Sequence, residues 1–235
     1  NDTPDEQLFI LEELAWSDQA ITAAEVLTLQ RFRDLFGQER LQPGEQFSVG
    51  SLTVLFTDLR DSTRLYREIG DAPAFGLVRN HFDVLHDTIA AEDGAIVKTI
   101  GDAVMAVFRR PVSALRAMMK AQHILANPVG GERPLQLKAA VHAGHSIAVT
   151  LNERLDYFGT NINIAARLEK FSQGDDLIIS NFVYCDPEVQ ELLQDAQSPL
   201  KAAPFTAQLK GFDDEWFNLW RIAPSEQIVP EETAV

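Results

Sequence analysis

The stretch LTVLFTDLRDST, residues 52–63, decides the fold, because an apolar segment turns polar within it. Its first half is rich in apolar, β-branched and aromatic residues, which predicts a short buried strand over 51–58. The strand ends at Asp58, and the DST that follows at 61–63 is typical of a helix start. A carboxylate at the carboxyl end of a strand, just before a helix, stands where open α/β sheets bind ligands.

Asp58 therefore has two interpretations. It either caps the helix that follows or takes part in a metal–nucleotide site. The unpaired N–H groups at a helix start attract phosphate, whereas an adjacent carboxylate repels phosphate unless a cation lies between them. The second interpretation thus requires a bound metal ion.

A second stretch, AIVKTIGDAVMAVF at 95–108, supplies another carboxylate. Two apolar runs flank Gly101 and Asp102, which predicts strands at 94–100 and 103–108 joined by a type II′ turn. If Asp102 converges with Asp58, the pair can hold two divalent cations that grip the attacking and leaving oxygens of a phosphoryl transfer. The alternative is a purely structural hairpin turn.

Composition bounds the partners of the chain. With 235 residues, 46% of them hydrophobic, the chain is long enough for one main domain and an appendage. A net charge of −15 argues against nucleic acid or anionic membranes as partners, so a phosphate site must be locally positive or metal-loaded. Cys185 is the only cysteine, which fits a reducing, cytoplasmic location.

The N-terminal region is predicted to be helical over 5–36, with a break near Ser17, and 41–50 reads as a linker. These helices either pack on the domain or a partner, or transmit a signal from an upstream module. The chain begins at Asn1 without Met. We therefore expect a fragment, which leaves room for an upstream sensor. No apolar run approaches the ~20 residues of a membrane helix, so no direct membrane contact is expected.

The remaining pattern alternates strands and helices in the β-α-β-β-α-β order of a ferredoxin-like α+β core. The domain boundaries are predicted at 1–46, 47–224 and 225–235. After the first strand we expect helices at 61–70, 74–91, 111–126, 160–172 and 181–195 (broken near Pro187), and strands at 135–150, 176–180, 205–210 and 215–222.

Five motifs occur in order: FTDLRDST at 56–63, KTIGDAVMAVF at 98–108, LKAAVHAG at 137–144, DYFGTNINIAARLE at 156–169 and LKGF at 209–212. Together they resemble the catalytic domain of class III nucleotidyl cyclases, the adenylate/guanylate cyclase family. The resemblance covers roughly residues 47–222 and implies that family's fold.

The resemblance implies a metal and phosphate side of the site. It assigns two divalent cations, Mg or Mn, to Asp58, Leu59 and Asp102, and oxygen ligands suit such hard cations. It implies a phosphate cradle of backbone N–H groups and two lysines at the polyphosphate. These positions are Arg60, Ser62 and Thr63 for the cradle, and Lys138 and Lys210 for the polyphosphate.

Two positions on the metal and phosphate side depart from the family's pattern. Asp61 stands where the family commonly has glycine, and an added carboxylate there is expected to weaken nucleotide binding unless it faces away. Lys138 stands where the family more often has arginine, so a guanidinium fork is replaced by a point charge.

The resemblance also implies a base and ribose side. Lys98 and Asp156 match the purine-selecting pair; lysine only donates and aspartate only accepts, which suits adenine and leaves guanine mismatched. Asn163 and Arg167 match the residues that orient the ribose and stabilise charge at the α-phosphate. These two lie four apart in a predicted helix and so share a face.

The implied activity is an adenylate cyclase, converting ATP to 3′,5′-cyclic AMP and pyrophosphate at sites shared by the two protomers of a homodimer. The alternatives are a guanylate or relaxed-purine cyclase, and a catalytically silent domain that only binds nucleotide or dimerises. His142 is expected to be structural.

Overall fold

A computed structural model describes residues 23–36, 46–195, 198–212 and 215–224. The first part of the predicted helix 5–36, its break near Ser17, the first half of the predicted linker and the tail 225–235 lie outside these residues. None of the helices in the described ranges has the length and hydropathy required to cross a bilayer.

Eight helices and eight strands follow one another in the described ranges. The helices are α1 Ala23–Leu27, α2 Gln30–Phe36, α3 Ser62–Ile69, α4 Asp71–Ala91, α5 Pro111–Ala126, α6 Thr160–Leu168, α7 Asn181–Tyr184 and α8 Pro187–Gln194, and a 3-10 turn spans Glu169–Phe171. The strands are β1 Phe47–Leu59, β2 Ala95–Ile100, β3 Ala103–Phe108, β4 Leu137–Leu151, β5 Arg154–Phe158, β6 Leu177–Ser180, β7 Leu200–Gln208 and β8 Trp216–Pro224.

These strands form one sheet in the order β2-β3-β1-β4-β6-β8-β7, and β5 pairs with β4. Strand β6 runs parallel to β4, whereas the other pairs are antiparallel. The run β1, α3–α4, β2–β3, α5, β4 is the predicted ferredoxin-like unit, which is therefore confirmed. Strands β6, β8 and β7 extend the sheet beyond β4.

Strand β1 is buried on both faces, which explains its nearly continuous apolar sequence. Leu55 and Leu59 point into the core shared with α4 and α5. Val54 and Phe56 point into the opposite core, shared with α6. The chemistry therefore lies where β1 leaves this double layer, at Asp58.

Strand β5 was predicted as loop, and this prediction was wrong. The turn before it contains Asn152 and Glu153, both at positive φ (48° and 65°). Two consecutive positive φ angles are typical of a type I′ hairpin, usually signalled by Asn-Gly. Here Glu153 occupies the usual glycine position, so the signal was hidden.

Strand boundaries also differ from the prediction at two places. Strand β1 begins at Phe47, inside the predicted linker, and passes through an irregularity between Ser48 and Ser51. Gly50 lies there at φ 71°, which is why the stretch reads as a loop. Strand β7 begins at Leu200 rather than at 205.

The N-terminal helices are interrupted at Thr28–Leu29, where the sequence predicted none. The hydroxyl of Thr28 donates to the carbonyl of Glu25 (3.0 Å), and Arg33 Nε donates to the carbonyl of Leu27 (3.1 Å). These side chains satisfy helix-end carbonyls, so α1 stops and α2 starts again at Gln30. Both helices pack on the core, and whether they transmit a signal stays a prediction.

Candidate active site

Asp58 lies at the carboxyl end of β1, opposite Lys138 on β4. Beside it opens a cleft of about 440 Å³. Five of the residues predicted for the metal and phosphate side line this cleft, and its walls carry three basic residues against two acidic ones. The lining residues are Asp58, Leu59, Asp61, Ser62, Thr63, Arg64, Arg67 and Lys138.

The environment of Asp58 opposes its negative charge. Its pKa rises from the ordinary 3.8 to about 6, first because of burial and then because of the charges of Asp102 and Glu169. The ammonium of Lys138 acts in the opposite direction. Thr57 pairs with Val104 across β1 and β3, so Asp58 and Asp102 lie at the same end of adjacent strands, where the charge of Asp102 acts on Asp58.

The hairpin between β2 and β3 brings Asp102 to this place. Ile100 pairs with Ala103, so the connection has the two residues predicted, and Gly101 has φ 65°. One carboxylate oxygen of Asp102, Oδ2, is buried without a hydrogen-bond partner in the described part of the chain. A buried, unsatisfied carboxylate oxygen is costly on its own and fits a bound cation.

The oxygen ligands at this place suit a hard divalent cation that takes its remaining ligands from water or substrate. Among the described residues, no cluster of three or more His, Cys, Asp or Glu side chains has a geometry that could hold a metal. The two carboxylates and the backbone of Leu59 are therefore the protein ligands on offer. Mg²⁺ commonly binds through one or two carboxylates and takes its remaining ligands from water and substrate phosphates.

Asp61, the departure from the family's glycine, holds its backbone at φ 56° before α3. This left-handed conformation favours glycine, and aspartate is among the few other residues that tolerate it. The side chain makes no helix-cap hydrogen bond. Its carboxylate instead pairs with Arg64 (3.1 Å) and lies 3.9 Å from Arg60 Nε. The added charge is thus balanced by arginines.

The predicted phosphate cradle is only partly present. Ser62 and Thr63 line the cleft, and their N–H groups belong to the first turn of α3, where helix donors are unpaired. Arg60 lies outside the cleft lining: its N–H donates to the carbonyl of Gln136 (2.9 Å), and its guanidinium donates to the carbonyl of Gln173 (2.7 Å).

Lys98 on β2 and Asp156 on β5 meet although 58 positions separate them in the sequence, with Nζ and Oδ2 2.5 Å apart. Asp156 is buried, and its other oxygen accepts the N–H of Tyr157 at 2.7 Å. Lys98 is partly exposed, so only the ammonium group of this pair reaches the surface. The predicted purine-selecting pair is therefore assembled within one chain.

Asn163, Arg167 and Lys210 form a second group, on α6 and the loop that follows β7. Arg167 donates from Nη1 to the carbonyl of Asn163 (2.8 Å) and from Nε to the carbonyl of Lys210 (2.5 Å). Its guanidinium also lies 5.6 Å from the ring centre of Phe212. Packing of LKGF against α6 thus holds the guanidinium of Arg167 in place.

His142 is structural, as expected. It lies buried between Ser180 Oγ (2.8 Å from Nδ1) and Asn161 Oδ1 (3.0 Å from Nε2). Asn161 in turn donates to the carbonyl of His145 (2.7 Å). This network fixes the first turn of α6, two residues before Asn163.

Two residues of the metal side were missed by the sequence interpretation. Tyr66 on α3 lies near Ser62 and Asp102, and burial and the nearby carboxylates raise its pKa. Glu169 lies 3.3 Å from Lys138 and acts on Asp58. Tyr66 stands four residues after Ser62, so helical spacing could have found it, whereas Glu169 comes from a distant 3-10 turn.

The cleft beside Asp58 is lined by none of the predicted base and ribose residues, namely Lys98, Asp156, Asn163 and Arg167.

Residues 45–202 match the model of the adenylate and guanylate cyclase catalytic domain. The chain is 28% identical to adenylate cyclase 1 of Rhizobium meliloti, over 50% of the chain and 20% of that protein. It is 26% identical to guanylate cyclase soluble subunit beta-2 of Rattus norvegicus, over 55% of the chain and 21% of that protein. The chain thus spans about a fifth of either relative.

Known structures share the fold. The crystal structure of the adenylyl cyclase CyaB from P. aeruginosa superposes with a TM-score of 0.60 at 22% identity, covering 79% of this chain and 99% of that one. The match of the family model to residues 45–202 extends over more than half of the 235 residues. This chain therefore belongs to the adenylate and guanylate cyclase catalytic domain family.

Proposed function

We propose that residues 47–224 form the catalytic domain of an adenylate cyclase, which converts ATP to 3′,5′-cyclic AMP and pyrophosphate in the cytoplasm. The observation that carries ATP specificity is the contact between Lys98 and Asp156. The observation that carries cyclisation is the convergence of Asp58 and Asp102 beside a cleft with an excess of basic residues.

Base selection follows from hydrogen-bond chemistry. Adenine offers an acceptor at N1 and a donor at its 6-amino group, which match the ammonium of Lys98 and the carboxylate of Asp156. Guanine offers a donor at N1 and an acceptor at O6, so both protein groups would face a like group. Each unsatisfied polar group costs roughly 1–3 kcal/mol, and two correspond to at least a tenfold preference for ATP.

On the metal side, Asp58, Leu59 and Asp102 would hold the divalent ions. When bound, such ions supply Lewis-acid activation of the ribose 3′-hydroxyl and neutralise charge on the leaving pyrophosphate. The N–H groups of Ser62 and Thr63 bind phosphate oxygens at the start of α3. Lys138, already beside Asp58, binds the polyphosphate from the neighbouring strand.

In the reaction, a bond forms between the ribose 3′-oxygen and the α-phosphorus, and the bond from that phosphorus to the pyrophosphate oxygen breaks. The 3′-hydroxyl proton is lost to solvent. Asn163 orients the ribose, and Arg167 stabilises charge at the α-phosphate. Arg167 has Nε and Nη1 committed to carbonyls, and Nη2 is the nitrogen we assign to phosphate.

A homodimer completes the site, because one protomer supplies the metal side and its partner the base and ribose side. The test mixes an Asp58→Ala chain with an Asn163→Ala chain, each inactive alone. Mixing restores up to a quarter of wild-type specific activity, since one of the two sites in each mixed dimer is intact and half the dimers are mixed. If two folded, dimeric variants show no rescue, the shared site is wrong.

The activity itself is tested by product analysis of the purified chain with ATP, GTP, CTP and UTP in Mn²⁺. We expect cyclic AMP as the main product. Lys98→Glu/Asp156→Asn presents the reversed pattern and should shift preference toward GTP, whereas exposed Lys120→Glu on α5 should not. Equal use of ATP and GTP by the wild type would favour a relaxed-purine cyclase, and no product with any nucleotide would favour a silent domain.

A further inference from the structure

Helix α2 contacts both strands that carry the base-reading pair. Gln30 Oε1 accepts the N–H of Ile96 on β2 at 2.7 Å, two residues before Lys98. Three residues later on the same face of α2, Arg33 reaches β5, where Nη1 donates to the carbonyl of Leu155 at 3.1 Å. Leu155 directly precedes Asp156.

Arg33 is held firmly in this place. It is 8% exposed, and besides the bond to Leu155 it donates from Nε to the carbonyl of Leu27 at 3.1 Å. Its guanidinium lies 5.1 Å from the ring centre of Tyr157, the residue after Asp156. The Tyr157 hydroxyl donates to the same Leu27 carbonyl at 3.3 Å. Both neighbours of Asp156 are therefore tied to α1 and α2.

These ties reach the carboxylate through the backbone. Asp156 accepts the N–H of Tyr157 through one oxygen and Lys98 through the other. A displacement of the β5 backbone at Leu155 or Tyr157 therefore changes where the carboxylate points. Within the part of the chain that the structure describes, Arg33 and Gln30 hydrogen-bond to α1, α2, β2 and β5 and not to the metal side.

We propose that Arg33, with Gln30, is a positioning residue for base recognition, through which the N-terminal helices set the preference of the enzyme for ATP. This inference rests on the proposed base-reading role of Lys98 and Asp156. Helix α2 then controls substrate selection, because a displacement of α1 and α2 changes the recognition of the base while the metal side stays intact. A purely structural role would instead lower activity with ATP and GTP alike.

The test compares kcat/KM for ATP and GTP in Arg33→Met, Arg33→Lys and Gln30→Leu, with exposed Arg31→Met on α2 as the matched control. We expect the ATP/GTP ratio to fall at least fivefold in Arg33→Met and Gln30→Leu, chiefly through a higher KM for ATP. Arg33→Lys should recover part of the ratio, and Arg31→Met should equal the wild type. An unchanged ratio in folded Arg33→Met and Gln30→Leu would overturn the proposal.

A double-mutant cycle tests the route through Asp156. If Arg33 acts by orienting that carboxylate, Arg33→Met should lower the ratio no further in an Asp156→Asn background. Independent, multiplying losses would refute this route. If Arg33→Met fails to fold, Gln30→Leu supports the same cycle.

Amide hydrogen exchange separates a failure of this inference from a failure of the proposed function. Arg33→Met should speed exchange at 155–157 at least tenfold and leave 56–58 unchanged, whether or not the chain makes cyclic AMP. A wild type without cyclase activity but with this local effect would reject the function and keep the positioning. Unchanged exchange at 155–157 would reject the positioning itself.

Discussion

Replacing Asp58 by asparagine is expected to stabilise the metal-free protein while abolishing its cyclase activity. In the folded chain the Asp58 carboxylate is half-buried and faces the charges of Asp102 and Glu169. Asparagine keeps the size of the side chain and removes its charge. The gain in stability and the loss of activity would come from one change, as expected for a residue selected for function against stability.

The magnitude follows from the pKa of Asp58. A rise from 3.8 to about 6, at about 1.4 kcal/mol per unit, would cost roughly 3 kcal/mol at pH 8 for a fully shielded group. Because solvent screens the exposed half of the side chain, about 1–2 kcal/mol is expected. In a chain of this size that raises Tm by about 3–6 °C.

The pH dependence has a definite sign. The pKa of Asp58 is higher in the folded state, so the wild type carries this penalty above about pH 6 and loses it as the pH falls toward 3.8. The advantage of Asp58→Asn should therefore be largest at pH 8 and disappear near pH 4. Exposed Asp83→Asn on α4 is the matched control and should leave Tm within about 1 °C.

Divalent cations should make the wild type more stable than Asp58→Asn. Mn²⁺ at about a hundred times its dissociation constant would add about 2.7 kcal/mol to the wild type, which exceeds the penalty of about 1–2 kcal/mol, and would add little to Asp58→Asn. The assay is thermal unfolding with EDTA and with Mn²⁺. If Asp58→Asn melts at or below the wild type in EDTA, the carboxylates do not repel each other as described and the two-carboxylate metal site loses its support.

Two further predictions concern other residues. Asp61→Gly should lower KM for ATP severalfold, because it removes a carboxylate from the cleft, and should raise stability by about 0.5–1 kcal/mol by relieving φ 56°. Asp61→Asn removes only the charge and so separates the two effects. An unchanged KM in both variants would show that the carboxylate does not act on the triphosphate. His81 is fully buried, and burial lowers its pKa to about 4. Up to about 3 kcal/mol of stability should therefore be lost as the pH falls from 6.5 to 4. Urea unfolding at pH 5 and pH 8 should show a smaller difference in the free energy of unfolding for His81→Phe than for the wild type, and an equal difference would refute this.

Much of the fold could be predicted from the sequence because its strands are buried. The strands β1 and β3 are apolar on both faces and end in residues typical of turns or helix starts, so pattern and structure agree. The failure to predict β5 has a physical cause: Glu153 adopts a backbone conformation that usually belongs to glycine. A pattern that depends on residue type cannot reveal a conformation that a neighbouring strand or helix imposes.

The candidate site also contains residues that local sequence could place and contacts that it could not. Motif spacing predicted that Asp58 and Asp102 lie at strand ends and that Asn163 lies on a helix, because these placements depend on local elements. The contact between Lys98 and Asp156 requires β5 to pair with β4 and then approach β2, which no local pattern contains. The tie from Arg33 to β5 spans 122 positions and depends on a helix whose sequence shows only a loose apolar period.

The carboxylate at position 61 was the main reason to consider a catalytically silent domain, and its surroundings argue for an active one. A chain with a net charge of −15 needs a locally positive or metal-loaded site wherever it binds a triphosphate. The cleft lining carries Arg64, Arg67 and Lys138 against Asp58 and Asp61, but Asp102 and Glu169 also act on Asp58, so a bound cation is needed. Since Asp61 is already paired with Arg64, its charge reaches the triphosphate only after partial neutralisation. A cleft that had lost its function would have no reason to retain the Asp58 carboxylate, whose charge is opposed by burial and by Asp102 and Glu169.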